Sequence, residues 1–298
     1  MTKRAIVILS LLTLGVGLSV YVGRSFPIKE LKGYTPYAMY LQATNEQCPF
    51  NAQAKNFSPP PNAHFIAHAG GAIIENGKPF TYTNSKEALL QSIEEGFSFI
   101  ELDLMLDSSG GIFGAHDYEH FSGITGGSLP KDTPPSKEQI LLSKIHNRFT
   151  PLVAESITEI FLANPRIYLV TDKLNDFSAI ATQLPFTDRI LIEVFSLRGY
   201  YKAKRLGLLP MLSTSDIALS KRLKIPMVAT HTSTLKDPAK LKLAEEYIAQ
   251  GGCIMAFSSN EKSFIQAHLD SSATMFYTDY FDINANKCKL EEEMCKTY

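Results

Sequence analysis

Glu101 and Asp103 stand one residue apart in "FIELDLMLDSSGGIFGAHD", residues 99–117, inside a run that is otherwise apolar at its start. Side chains at i and i+2 of a strand share a face, so this spacing aims two carboxylates at one place. Burying two unpaired carboxylates costs several kcal/mol. Their presence is explained if a hard divalent cation such as Mg²⁺ or Ca²⁺ answers them, since such ions prefer oxygen ligands. A glycine-bearing turn at Ser108–Gly111 then returns the chain to deliver His116 and Asp117. His68 closes the apolar run "HFIAH", and "LVTDK" ends in a third carboxylate, Asp172, followed by Lys173. Two imidazoles on opposite sides of a bound substrate can act as general base and general acid. With a divalent ion between them, they are machinery for displacement at phosphorus. Asp117 is read as orienting a neighbour by hydrogen bonding, and Asp279 as a rim residue. Glu193, inside "LIEVFS", is a reserve candidate, and His231, in "ATHTS", is the remaining histidine of interest. His64, His120, His146 and His268 are given no role.

These residues need a scaffold that gathers strand ends. Eight strand-like runs recur: "HFIAHAG", "FSFIELDLML", "RIYLVTDK", "RILIEVFS", "LLPMLST", "IPMVATH", "GCIMAFS" and "ATMFYTD". Between them lie helix-like stretches such as "SKEALLQSIEEG", with Gly96 as its C-cap, "DFSAIATQL" and "PAKLKLAEEYIAQG". Strands alternating with helices indicate parallel βαβ units. Eight is the number that closes a TIM barrel, whose active site lies at the C-terminal ends of its strands. The expected fold class is therefore α/β, a (β/α)8 barrel in one domain over residues 63–285. A doubly wound open sheet is the alternative.

The ordered set "AHAGG…YTNSKEAL…GFSFIELDLMLDSSGGIFGAHD" resembles the glycerophosphodiester phosphodiesterase family and its phosphatidylinositol-type phospholipase relatives, over about residues 64–280. The resemblance implies a TIM barrel with His68 and His116 as the acid–base pair. It implies Glu101 and Asp103 as metal ligands, with Asp172 as a shorter substitute for the family's third ligand. Lys173 would face the substrate phosphate, and Asn84 would offer it a hydrogen bond where the family has a "PENT" segment. The chain departs from the pattern at Ala69, where the family has an arginine. A guanidinium there offers bidentate hydrogen bonds to phosphate oxygens. Its loss marks a divergent branch, with an altered substrate or with reduced or lost activity. The implied reaction is metal-dependent hydrolysis of a glycerol- or lipid-derived phosphodiester, with Mg²⁺ or Ca²⁺ as cofactor. The alternative is a catalytically inactive barrel that binds a polysaccharide or a phosphorylated envelope component.

The 298-residue chain is 45% hydrophobic and 20% charged with a formal net charge of -1. That balance suits a globular core and argues against a nucleic-acid partner, which usually demands a basic surplus. The expected partner is a small-molecule or lipid substrate, with the chain acting as a monomer. Lys3 and Arg4 precede eighteen uncharged residues, Ala5 to Val22, enough to span a membrane at a rise of about 1.5 Å per residue. Residues 1–24 are read as a signal anchor in preference to a cleaved signal peptide. The positive-inside rule then sends the rest across, to an extracytoplasmic or periplasmic location. Residues 25–62 read as a proline-bearing connector, and 286–298 as a C-terminal tail. Of the four cysteines, Cys253 is expected to be a small buried apolar residue. Cys288 and Cys295 are placed to pair, with Cys48 a competitor for either.

Overall fold

Eight parallel strands hydrogen-bond in chain order and close into a barrel, in a computed structural model that describes residues 46–52, 60–127 and 129–296. They are β1 (Phe65–Ala67), β2 (Phe99–Glu101), β3 (Tyr168–Thr171), β4 (Ile190–Val194), β5 (Leu209–Ser213), β6 (Met227–His231), β7 (Cys253–Phe257) and β8 (Met275–Thr278). The ring is sealed where β1 pairs with both β8 and β2, Ala67 lying opposite Thr278 and Ile100. The open sheet considered from sequence is thereby excluded.

The two-residue period of a strand divides the barrel interior into layers. Ile66, Phe99, Val170, Leu191, Met211, Ala229, Met255 and Met275 belong to one buried cluster, one residue from each strand in turn. Adding two to each number reaches His68, Glu101, Asp172, Glu193, Ser213, His231, Phe257 and Tyr277. All eight of these line a single cleft. The apolar layer is thus the floor on which the functional layer stands.

The loops that leave this face are fixed by helix caps. Ser85, Asp176, Ser196, Asp216 and Asp237 each accept a hydrogen bond from a first-turn amide of the helix that follows them. Each such cap stabilises its helix by about 1 kcal/mol. The last of them also has proline in its first turn, where the missing N–H costs nothing.

Three sequence expectations need correction. "FSFIELDLML" is not one strand: Leu102 still donates to Val170 O, but the chain then leaves the barrel, and Leu104–Leu106 pairs with Ile112–Gly114 as a hairpin. Asp107 ties its turn by accepting from the amides of Ser109 and Gly111. The end of the presumed connector also belongs to the barrel. Phe50 meets Phe99 and Tyr168 edge-on at 5.1 and 5.5 Å, closing the floor from below. Cys253, finally, is not a free thiol: it is bonded to Cys48, while Cys288 pairs with Cys295. Asn51 adds hydrogen bonds to Ile248 O and Gly252 O, so this strap is held by more than sulfur.

The Cys48–Cys253 bond closes a sequence separation of 205 residues, and long loops lose much unfolded-state entropy when crosslinked. Cys48→Ser is expected to lower unfolding free energy by about 2–5 kcal/mol, read from urea transitions of the full chain. A loss below 1 kcal/mol would mean that the strap holds without its crosslink.

The signal-anchor reading of residues 1–24 lies outside the described residues. Among the described residues no helix is long and apolar enough to cross a membrane. Past β8 the chain makes a short hairpin, Phe281–Asp282 with Lys287–Cys288, and a final turn at Glu292–Cys295.

Candidate active site

A cleft of about 380 Å³ opens over the C-terminal ends of the strands, with Tyr82, Asp103, His116, Lys173, Phe195 and Ser258 joining the ring of eight. On one side, Glu101, Asp103 and Asp172 each present an oxygen, and these atoms lie within 4.8 Å of one another. Glu101 and Asp103 are only 4% and 2% exposed. The backbone at Ala69, Gly70 and Gly71 coils through positive φ values of 50°, 87° and 91°. That coil turns the Ala69 N–H onto Glu101 Oε2 at 2.6 Å. A side chain at Gly71 would place its Cβ 2.3 Å from Ser92 Oγ, so glycine is required there.

Asp103 is held by Asn84 in a reciprocal pair. The Asn84 side-chain amide donates to Asp103 Oδ2 at 2.9 Å, and the Asp103 N–H donates to Asn84 Oδ1 at 2.9 Å. Asn84, expected to bind substrate, is instead fully buried with both ends of its amide occupied. Its place is behind the carboxylate, where it fixes the direction of Asp103.

Three carboxylates face a single ammonium. Lys173 Nζ lies 2.8 Å from Asp172 Oδ2 and 3.5 Å from Asp103 Oδ1. Burial first, and then repulsion from Asp103, push the carboxyls of Glu101 and Asp172 above the ordinary range. For Lys173, burial works against the charge, but the bond to Asp172 and the surrounding carboxylates outweigh it and raise its pKa. Asp172 Oδ1 is buried with no hydrogen-bond partner. An all-oxygen cluster with excess negative charge and an unanswered buried oxygen fits a hard divalent ion of the Mg²⁺ or Ca²⁺ type.

Both histidines line the same cleft, each pinned through Nδ1. His68 Nδ1 donates to Asp279 at 3.0 Å, and His116 Nδ1 donates to Asp117 at 2.7 Å. A carboxylate on Nδ1 sets ring orientation and leaves Nε2 for chemistry. Burial lowers the pKa of His68, but the bond to Asp279 and the fields of Asp103 and Asp172 more than reverse this, leaving it raised. Asp117 also caps the helix Tyr118–Ile124. The His120 amide and then His116 hold its carboxyl below the usual range.

The Tyr82 ring packs against both imidazoles, its centre 4.8 Å from His68 and 5.5 Å from His116. Burial and the fields of Asp279 and Asp103 push its phenol up to about 12, so it remains a hydrogen-bond donor at neutral pH. Ala69, Tyr82, Asn84 and Lys173 all have positive φ without being glycine. Such strain persists where surrounding structure over-determines it, and it gathers at functional sites.

The cleft brings together His68, His116, Glu101, Asp103, Asp172 and Lys173, all singled out from sequence, together with Glu193 and His231. Tyr82, Phe195, Ser213, Phe257, Ser258 and Tyr277 were missed. The i+2 rule above the apolar layer was available in the sequence for Ser213, Phe257 and Tyr277. Tyr82 lies in a loop, where no period points to it.

No family model matches the sequence, and no curated protein does. Solved structures do. A phosphodiesterase from Oleispira antarctica, in complex with the product sn-glycerol-3-phosphate, superposes with a TM-score of 0.60 at 18% identity, covering 75% of this chain and 96% of that one. A glycerophosphodiester phosphodiesterase from Parabacteroides distasonis gives 0.57 at 15% identity, over 72% and 92%. One from Thermotoga maritima gives 0.53 at 15% identity, over 66% and 88%. At these identities the likeness is one of fold, and it is the barrel that the sequence resemblance implied.

Proposed function

We propose that the chain is a divergent glycerophosphodiester phosphodiesterase-type enzyme that hydrolyses a glycerol- or lipid-derived phosphodiester with a divalent cation and a His68/His116 acid–base pair. The observation that carries this reading is that two carboxylate-pinned histidines and a three-carboxylate cluster line one cleft. Glu101, Asp103 and Asp172 would hold the ion, which supplies positive charge against the phosphoryl oxygens. His116, the more exposed of the two rings, takes the proton of the incoming water or hydroxyl. His68, kept protonated by Asp279, gives its Nε2 proton to the departing alkoxide. Lys173 and the protonated phenol of Tyr82 donate to phosphate oxygens where Ala69 offers no guanidinium. Membrane attachment through residues 1–24 and an extracytoplasmic barrel are part of the proposal. Two disulfides support them, since such bonds persist in oxidising compartments. Ala69 favours the second reading, a silent barrel that binds an envelope component, but both histidines keep the orienting carboxylates that catalysis needs.

The test is the full-length protein in detergent assayed against a panel of phosphodiesters, with and without EDTA. Turnover that EDTA abolishes is expected, and no turnover of any member overturns the reading. The acid role of His68 also predicts a pH profile. Its pKa is raised, so the alkaline limb of the profile falls as pH rises through that raised value. Asp279→Asn removes the main stabilising partner of the imidazolium. It is expected to move the alkaline limb of kcat/KM down by about 1–2 pH units. An unmoved limb assigns the proton to another group.

A further inference from the structure

The residues at the ends of β1–β3, with Asp279, carry the chemistry proposed above, whereas Glu193, Ser213, His231 and Tyr277 have no task in it. Glu193 is 8% exposed and lies beside Ser213, whose hydroxyl favours its charged form. Tyr277 lines the cleft, and its hydroxyl is buried with no hydrogen-bond partner. His231 Nδ1 accepts from the Ser233 N–H at 3.0 Å, so its neutral ring carries the proton on Nε2 as a donor. Phe257 and the exposed Phe195 supply apolar surface beside these groups. A buried hydroxyl without a partner costs free energy in the free protein, and a ligand hydroxyl would satisfy it.

We infer that the Glu193–Ser213–His231–Tyr277 side of the cleft is a subsite for the leaving alcohol of the substrate, and that it selects a polyol with several adjacent hydroxyls. The inference rests on the hydrolytic reading for the word "leaving", but not for the binding preference. Its placement agrees with the proton assignment. The Tyr277 ring lies 6.0 Å from the His68 ring, so an alcohol over Tyr277 departs beside the acid. The donor set is mixed: a carboxyl, two hydroxyls and an imidazole N–H, which matches hydroxyls that both donate and accept. A quaternary ammonium has no hydrogen to donate and no lone pair to accept with, so it leaves the Tyr277 hydroxyl and the His231 N–H unanswered. Burial pushes Glu193 up to about 7, so near neutral pH it serves as donor as well as acceptor, unlike a permanent counter-ion.

Glycerophosphoglycerol and glycerophosphoinositol are compared with glycerophosphocholine and bis(p-nitrophenyl) phosphate, using the full chain in detergent with a divalent ion. The polyol diesters are expected to show at least tenfold higher kcat/KM than the choline diester. Tyr277→Phe and Ser213→Ala should each cut that ratio by about fivefold or more, chiefly through KM. Equal use of all four, or preference for choline, overturns the inference. Calorimetric titration of glycerophosphoinositol and glycerophosphocholine separates it from the hydrolytic reading. Tenfold tighter polyol binding without turnover supports the subsite and overturns hydrolysis alone. Equal binding, or none, overturns the subsite whatever the turnover.

Discussion

Replacing His116 with alanine is expected to lower kcat for phosphodiester hydrolysis by about 10²–10⁴-fold, the usual contribution of a positioned general base, with little change in stability. The His116 side chain is 37% exposed and bonded to an Asp117 that is 48% exposed. Removing it opens no core cavity and leaves no buried charge, because Asp117 retains the His120 amide. His68→Ala should lose a similar factor and also stability, since the Asp279 side chain, 11% exposed, loses its partner at 3.0 Å. The pair acts as a unit, so the double variant should be scarcely slower than either single one. Initial rates and urea transitions of the three variants check this together. Undiminished turnover in His116→Ala would remove the imidazole pair from the mechanism.

How far the sequence foretold this site depended on whether period or contact placed each residue. Glu101 and Asp103 were legible because the i, i+2 spacing of carboxylates within an apolar run has few physical excuses. His68 and Asp172 were legible as polar ends of apolar strands, the form a barrel rim takes in sequence. Tyr277 and Ser213 obey the same rule and lie in runs read as strands, but a hydroxyl at a strand end raises no energetic alarm. Asn84 went the other way. A loop amide looks available for substrate, and only the fold shows Asp103 using both of its ends. The partner of Cys48 was hidden for a similar reason. Cys253 sits in an apolar strand where a small buried side chain suffices, and the partner lies 205 residues distant. Contacts of that range follow from the closure of the barrel, which brings the strap beneath β7.

Stripping divalent ions with EDTA should abolish turnover and also change how stability depends on pH. Burial and mutual repulsion raise the carboxyls of Glu101 and Asp172 in the ion-free fold. A carboxyl whose folded pKa exceeds its unfolded value contributes stability that is present below the unfolded value, about 4. That contribution is lost as pH rises through the folded one. In EDTA, wild-type protein should therefore lose ground to Glu101→Gln as pH rises from about 5 to 8. The amide keeps an acceptor for the Ala69 N–H and drops one charge from the cluster. Saturating Mg²⁺ or Ca²⁺ should reverse the order. Binding at 100 times Kd stabilises by about 2.7 kcal/mol, which for a domain of this size raises Tm by roughly 5–10 °C. Glu101→Gln should be deaf to the ion and at least 100-fold slower. The substitution would then improve the empty fold and ruin the site, as expected of a carboxylate retained for a ligand and not for folding. Thermal melts of both proteins at several pH values, with EDTA or excess ion, distinguish the outcomes. A Tm rise in Glu101→Gln equal to that of wild type would place the ion elsewhere.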